Sequence, residues 1–267
     1  QLIGKAHYIN DVPDGNFPAH EPNPLEAASQ QQIKDLVLKE GCDIGLLFDG
    51  DADRITFIDE KGQFISPDLM IAFLGNYFLG ERHDQGIVLQ DIRSSRAIQE
   101  YLDRYHAKVE TWRVGRAYAA LKLRELDGAY GGELAGHYYF RDFYYSDSAL
   151  LAASIVLRLL AEFKRQGRTM SDIIKEISPY YNSGEINFKL QRKMEAMDAV
   201  KDHYFALQRP ERYLDFDGYR LDYADWWFNI RPSNTEPYLR FLAEAKNKEQ
   251  LDSIVEQVSE IIRTFAD

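Results

Sequence analysis

Asp49-Gly50-Asp51-Ala52-Asp53-Arg54 places three carboxylates at alternate positions directly after an apolar run that ends in Phe48. Side chains so spaced can converge on one point. Converging carboxylates repel one another unless a cation neutralises them. Oxygen ligands alone select a hard ion such as Mg²⁺. Arg54 either neutralises the aspartates itself or contacts an anion bound to the same metal.

Two further clusters offer complementary chemistry. Gly131-Gly132-Glu133-Leu134-Ala135-Gly136-His137 combines glycines, which allow close backbone approach, with a carboxylate able to accept hydrogen bonds from adjacent sugar hydroxyls. His137 there can assist proton transfer, hold a phosphate or be structural. Arg231-Pro232-Ser233-Asn234-Thr235-Glu236-Pro237 supplies a guanidinium, two hydroxyls, an amide and several backbone N–H groups. That is the inventory for a phosphate dianion, although Ser233 and Asn234 also suit a plain turn. Arg113 and Arg116, flanking Val114-Gly115, are cations that either face a phosphate or sit in solvent at a helix start; Arg141 carries the same alternatives, and Arg240 is a weaker phosphate candidate.

The acidic loop has three rival readings. One is a solvated acidic turn. A second is an EF-hand, since Asp49, Asp51, Asp53 and Glu60 fall at loop positions 1, 3, 5 and 12. Against it, position 6 is Arg54 rather than Gly, and the flanks read as strands. A third is the nucleophile loop of haloacid dehalogenases, where the fifth residue is Thr or Val; here it is Asp53.

These loops need elements to position them. The first 30 residues are rich in Pro, Asn and Asp and read as an irregular loop. A helix is expected from Leu25 to Lys39, ended by Gly41. Strands over 44–48 and 55–58 flank the acidic loop, with a turn at Glu60-Lys61-Gly62. Beyond Pro67 the pattern alternates: helix 68–79, strand 86–90, helix 94–104, strand 108–112, helix 117–126, strand 129–134 and a capped helix 147–164. Such alternation indicates an α/β layer with mostly parallel strands. From about Asn182 the character changes. A strand over 185–190, a hairpin turning at Asp217-Gly218, a strand over 237–244 and an amphipathic helix carrying Leu251, Ile254, Val255, Val258, Ile261, Ile262 and Phe265 describe a small α+β domain.

Composition narrows the function classes. The 267 residues are 45% hydrophobic and 28% charged, ordinary for a globular protein. Net charge is −11 with no Lys/Arg run, which argues against nucleic acid or an acidic membrane as partner. No apolar run approaches the roughly 20 residues of a membrane span, and the start, Gln1-Leu2-Ile3-Gly4-Lys5, lacks a signal-peptide shape. One cysteine, Cys42, excludes an internal disulfide framework and a Cys-based zinc site. The cytoplasm is the default location.

Phe48-Asp49-Gly50-Asp51-Ala52-Asp53-Arg54 resembles the metal loop of the α-D-phosphohexomutases, the phosphomannomutase/phosphoglucomutase family. Pro13-Asp14-Gly15-x-Phe17-Pro18 and Pro22-Asn23-Pro24 look like that family's second domain. Gly-Glu-Leu-Ala-Gly-His resembles its sugar loop, with Ala135 where the family has Ser, and Arg-x-Ser-Asn-Thr-x-Pro its C-terminal phosphate loop. Arg113 to Arg116 fills the place of a Lys-Thr-Gly-His-like turn, with neither arginine the usual residue. The resemblance covers nearly the whole chain, with the three loops in family order.

It implies that Asp49, Asp51 and Asp53 bind Mg²⁺, with a phosphoserine oxygen completing the set and Arg54 near that phosphate. It implies catalytic roles for Arg54 and His137. Glu133, Arg113, Arg231, Ser233, Asn234 and Thr235 would bind a hexose phosphate. The fold expected is α/β: mixed α/β-layer domains, then a small α+β domain. Residues 1–64 would end domain 2 and carry the metal loop, 65–181 would form domain 3, and 182–267 domain 4. The family's nucleophile is a phosphorylated Ser in a Thr-x-Ser-His-Asn-like segment, and no Ser-His pair occurs here. The phosphoserine domain is therefore expected to lie outside this sequence, leaving the 267-residue piece inactive alone. The implied reaction interconverts hexose 1-phosphate and hexose 6-phosphate through a 1,6-bisphosphate. Ala-Asp in the metal loop and Glu-x-x-Gly-His without Gln favour mannose and/or glucose over glucosamine. A non-catalytic module binding a sugar phosphate or divalent cation is the alternative.

Overall fold

The computed structural model describes residues 4–233 and 237–266. The chain forms two compact units, Gln1–Ser178 and Pro179–Asp267.

In the first unit, the segment before α1 (Ala27–Glu40) contains no helix or strand among its described residues. The helix ends where expected. Gly41 takes the left-handed conformation (φ 63°) and its N–H caps the Val37 carbonyl. β1 (Ile44–Phe48), β2 (Ile55–Asp59) and β3 (Phe64–Ile65) form an antiparallel sheet in that order. One face packs Ile58 against Ile33 and Val37 of α1. From the other, Ile55, Phe57 and Ile65 enter the same core as the elements that follow. The expected cut at 64/65 thus crosses a shared hydrophobic core.

α2 (Leu69–Gly75) is buried on nearly every residue and runs into a π-helical turn, Asn76–Glu81, where one uniform helix was expected from apolar spacing. β4 (Ile87–Asp91), α3 (Ala97–Leu102), β5 (Lys108–Trp112), α4 (Arg116–Glu125), β6 (Tyr130–Gly132) and β7 (Tyr138–Phe140) follow. The sheet order is β5-β4-β6-β7. β4 is parallel to β5 and β6, as the alternation predicts; β7 was not anticipated and returns antiparallel on β6. α5 (Ala149–Arg165) is capped by Ser148, whose side chain accepts the Leu151 N–H, and buries Ala152, Val156, Leu159 and Leu160 at helical spacing. α6 (Met170–Ile177) opens with a capping box between Thr169 and Asp172.

The second unit has its own sheet and core. β8 (Tyr181–Asn182), β9 (Ile186–Lys189), α7 (Lys193–Leu207), β10 (Arg212–Leu214), β11 (Tyr219–Asp222), β12 (Trp226–Pro232), β13 (Tyr238–Ala245) and α8 (Lys248–Arg263) follow in order. The sheet runs β10-β11-β12-β13-β8, with β9 also on β13, all antiparallel. β8 belongs to this sheet, so the expected division at 181/182 falls inside a strand. The hairpin at Gly218 is confirmed, but the strands end at Leu214 and resume at Tyr219, so its loop spans residues 215–218 rather than two. Apolar residues of α7 and α8, including Met197, Val200, Ile254 and Val258, cover Leu221, Phe228, Ile230 and Phe241.

Candidate functional site

The acidic loop closes between β1 and β2, whose last pair is Phe48 and Ile55. Ala52 adopts the left-handed region (φ 57°), and Asp49 and Arg54 share a backbone hydrogen bond of 3.3 Å. The Asp49 side chain is 1% exposed. Its Oδ1 accepts the N–H groups of Asp53 and Arg54, both at 3.1 Å, and its Oδ2 accepts Arg54 Nε at 2.7 Å. Burial alone would raise the Asp49 pKa, but the hydrogen bonds and charge of Arg54 prevail and lower it. Arg54 therefore neutralises an aspartate directly, the first of the two roles open to it.

Asp49, Asp51 and Asp53 each present one oxygen within 4.8 Å of the others. That is convergence, not a splayed turn. Burial and the charges of Asp49, Asp51 and Asp147 raise the Asp53 pKa, partly opposed by His137. The all-oxygen donor set suits a hard divalent cation, which would relieve this repulsion, so the residues fit Mg²⁺.

His137 lies against the same loop. Ile55 donates its N–H to the Gly136 carbonyl at 3.0 Å. Gly136 has φ +93°, and a Cβ there would sit 2.9 Å from the Ile55 oxygen. Glycine is what lets the two loops meet. His137 Nδ1 is 3.9 Å from Asp53 Oδ1 and 2.7 Å from Asp147 Oδ2. Arg116 Nε donates to both oxygens of Asp147, at 2.8 and 2.9 Å, and lies 3.8 Å from Asp53 Oδ2. Burial would raise the Asp147 pKa, yet hydrogen bonds from His137 and Arg116 pull it down to about 2.

Glu133 is 2% exposed, and its Oε1 already accepts the Gly115 N–H at 3.1 Å and the Tyr139 hydroxyl at 3.3 Å. Burial first, and Asp91 second, raise its pKa. The carboxylate expected to meet sugar hydroxyls is thus held by protein donors on one oxygen. Beside it, Asp91 at the end of β4 accepts Arg93 Nη2 and the Leu134 N–H, each at 2.8 Å. Arg113 lays its guanidinium over the Tyr118 ring, 4.2 Å from the centroid. Arg141 contacts the Gln85 carbonyl and Asp84, ahead of β4 and at the opposite end of the sheet from Glu133, which removes it from the site.

In the second unit, Arg231 and Ser233 stand at the end of β12 where the chain turns into β13. Arg231 is 6% exposed, with Nε 3.5 Å from Asp217 Oδ1. A Cβ on Gly218 (φ +73°) would fall 2.5 Å from Arg231 Cβ, so the preceding hairpin packs directly on this strand end. Ser233 donates its N–H to the Tyr238 carbonyl at 2.8 Å. Asn234 and Thr235 lie outside the described residues. Arg240 is engaged by Glu185 at 2.8 Å.

Sequence reasoning missed Asp147, Asp91 and Arg93. For Asp147 the available signal is a Ser-Asp-Ser run in which Ser148, not Asp147, caps the helix, leaving the aspartate for other work.

A sheet framed by helices, with an acidic loop bonded to a Gly-Glu-x-x-Gly-His loop, defines a class, and comparison with known proteins agrees. Family models for phosphoglucomutase/phosphomannomutase match in sequence order: α/β/α domain II over residues 5–62, α/β/α domain III over 66–181, and the C-terminal domain over 185–261. The chain belongs to the phosphoglucomutase/phosphomannomutase family. It is 36% identical over 262 residues to a phosphomannomutase of Methanocaldococcus jannaschii, covering 98% of this chain and 57% of that protein. It is 35% identical over 240 residues to the Escherichia coli phosphomannomutase, covering 89% and 51%. A solved phosphoglucomutase/phosphomannomutase family protein of Burkholderia thailandensis superposes with a TM-score of 0.80 at 25% identity, covering 94% of this chain and 53% of that one. The chain thus spans about half the length of the relatives it matches. Among the described residues no helix is long and apolar enough to cross a membrane.

Proposed function

We propose that this chain is the metal- and sugar-phosphate-handling part of a phosphohexomutase that interconverts hexose 1-phosphate and hexose 6-phosphate, of mannose and/or glucose. The observation that carries the reading is the convergence of Asp49, Asp51 and Asp53 beside His137. A phosphomannomutase from an archaeon and another from a bacterium match nearly the whole chain, which supports the same substrate class.

The division of labour follows from donor chemistry. Asp49, Asp51 and Asp53 hold Mg²⁺, which when bound offsets charge on a transferring phosphoryl group. Asp49 reaches this role with Arg54 already paired to it, so Arg54 holds the loop in shape and adds positive charge next to the phosphate. Arg231, Ser233, Asn234 and Thr235 offer donors suited to a phosphate, Arg113 adds charge, and Glu133 offers acceptors suited to sugar hydroxyls. His137 exchanges a proton with a sugar hydroxyl. A serine outside this sequence carries the phosphoryl group, and a hexose 1,6-bisphosphate reorients between two half-reactions. Residues 1–64 are read as the end of a second domain, 65–181 as a third and 182–267 as a fourth, a division close to the family-model matches.

The test is phosphorus NMR of mannose 1-phosphate and glucose 1-phosphate with Mg²⁺ and hexose 1,6-bisphosphate. The 267-residue chain should give no 6-phosphate, whereas a longer polypeptide carrying the serine segment upstream should. Turnover by the shorter chain would overturn the placement of the nucleophile; none by the longer would overturn the activity.

A further inference from the structure

The Asp147 carboxylate hydrogen-bonds with Arg116, Ser146 and His137, and an Asp53 carboxylate oxygen lies within 4.8 Å of it. Oδ1 receives Arg116 Nε at 2.8 Å and the Ser146 hydroxyl at 3.3 Å; Oδ2 receives Arg116 Nε at 2.9 Å and faces His137 Nδ1 at 2.7 Å. A carboxylate gripped on both oxygens by a guanidinium is ionised and can only accept. At 2.7 Å, Nδ1 must therefore carry the hydrogen. The aspartate has little freedom to do otherwise. Tyr139 and Asp147 form an isolated β-bridge, Ser148 donates its N–H to the Tyr138 carbonyl at 3.0 Å, and the Ser148 side chain caps α5. The His137 ring is stacked on Tyr139, with centroids 6.2 Å apart and planes 30° from parallel.

We propose that Asp147, held by Arg116, is a positioning residue that fixes His137 as its Nδ1–H tautomer, leaving Nε2 as the hydrogen-bond acceptor for a hydroxyl of the sugar phosphate. This rests on the phosphohexomutase reading and decides between two roles for His137. With Nδ1–H committed to Asp147, Nε2 is the ring nitrogen left for the substrate; where it takes a hydroxyl proton, the O–H bond breaks as Nε2–H forms and Asp147 stabilises the positive ring that results. The contact chain is Arg116 to Asp147 to His137, on α4, the residue before the cap of α5 and the end of the sugar loop.

The experiment is nitrogen-15 NMR of the histidine rings in the metal-free chain at pH about 8, above the ordinary imidazole range. The chain has six histidines, and the His137 signal is the one lost in His137→Gln. The wild type should show the Nδ1–H pattern. In Asp147→Asn the amide oxygen stays with Arg116 and Ser146, its NH₂ faces Nδ1, and the pattern should switch to Nε2–H. Arg116→Ala should keep Nδ1–H. An Nε2–H or doubly protonated ring in the wild type overturns the proposal, as does an unchanged pattern in Asp147→Asn. Should that variant not fold, the wild-type pattern alone decides. The readout needs neither sugar phosphate nor turnover, so failure of the proposed activity leaves it intact.

Discussion

Ile55 donates its backbone N–H to the carbonyl of Gly136 at 3.0 Å, so the first residue of β2 after the acidic loop is bonded to the residue that precedes His137. Two loops more than 80 residues apart in sequence are thereby one structural unit. The joint tolerates no side chain, because a Cβ on Gly136 would lie 2.9 Å from the Ile55 oxygen at a φ of +93°.

Gly136→Ala should therefore cost about 1–3 kcal/mol of stability, from backbone strain and the forced separation of the loops. It should also weaken divalent-cation binding, although residue 136 offers no ligand. Gly167→Ala is the control. It shares a positive φ (+77°) but meets nothing within 4 Å, and should lose about 1 kcal/mol or less. Denaturant midpoints of both variants, with and without Mg²⁺, check this.

Asp51 and Asp49 should separate metal binding from folding. Asp51 is exposed, so Asp51→Asn should leave the metal-free melting temperature unchanged while reducing Mg²⁺ affinity about tenfold or more. Asp49 is buried and accepts three donors, so Asp49→Ala should cost about 2–4 kcal/mol even without metal. Thermal melts and Mn²⁺ titration by electron paramagnetic resonance distinguish the two. Equal metal affinity in Asp51→Asn and wild type would defeat the ligand assignment.

Acid should release Asp147 from its partners. Its pKa is about 2 in the folded chain against an ordinary 3.8, a depression that stabilises the fold wherever the unfolded carboxylate is ionised. The sign is that of a depressed acid. The contribution is fully present above about pH 4 and disappears as pH falls through about 2. It amounts to on the order of 2 kcal/mol. The stability gap between wild type and Asp147→Asn should shrink as pH falls below about 4. A gap that does not change with acid would show that Asp147 is not held as the geometry describes.

The three loops stood out in the sequence because each concentrates chemically distinctive residues in a short run, and the strands beside Asp49 read directly from Ile44–Phe48 and Ile55–Asp59. What linked the loops was not. Asp147 lies ten residues after His137 and looks like part of a helix cap; its partners Arg116 and His137 come from other elements, and nothing local marks the meeting. Arg113 carries a charge that suggests phosphate, but its sequence does not disclose that Tyr118, five residues on in the first turn of α4, receives the guanidinium. β7 has only three residues, Tyr138–Phe140, too few to show a period of two, and α7 carries apolar residues too scattered to announce a buried face. The π-helical turn at Asn76–Glu81 keeps the apolar composition of α2, so composition could not separate them.

Phosphate recognition through Arg231 and sugar-hydroxyl recognition through Glu133 are the central proposal. Calorimetric titration with inorganic phosphate, mannose 1-phosphate and mannose 6-phosphate, on wild type, Arg231→Ala and Glu133→Ala, tests it most directly. Arg231→Ala should weaken all three ligands by about 1.5–3 kcal/mol, roughly tenfold or more, since each presents the same dianion. Glu133→Ala should leave phosphate binding nearly unchanged and remove only the additional affinity of the sugar phosphates. Phosphate binding unaffected by Arg231→Ala, or sugar phosphates that bind the wild type no better than phosphate does, would contradict the claim.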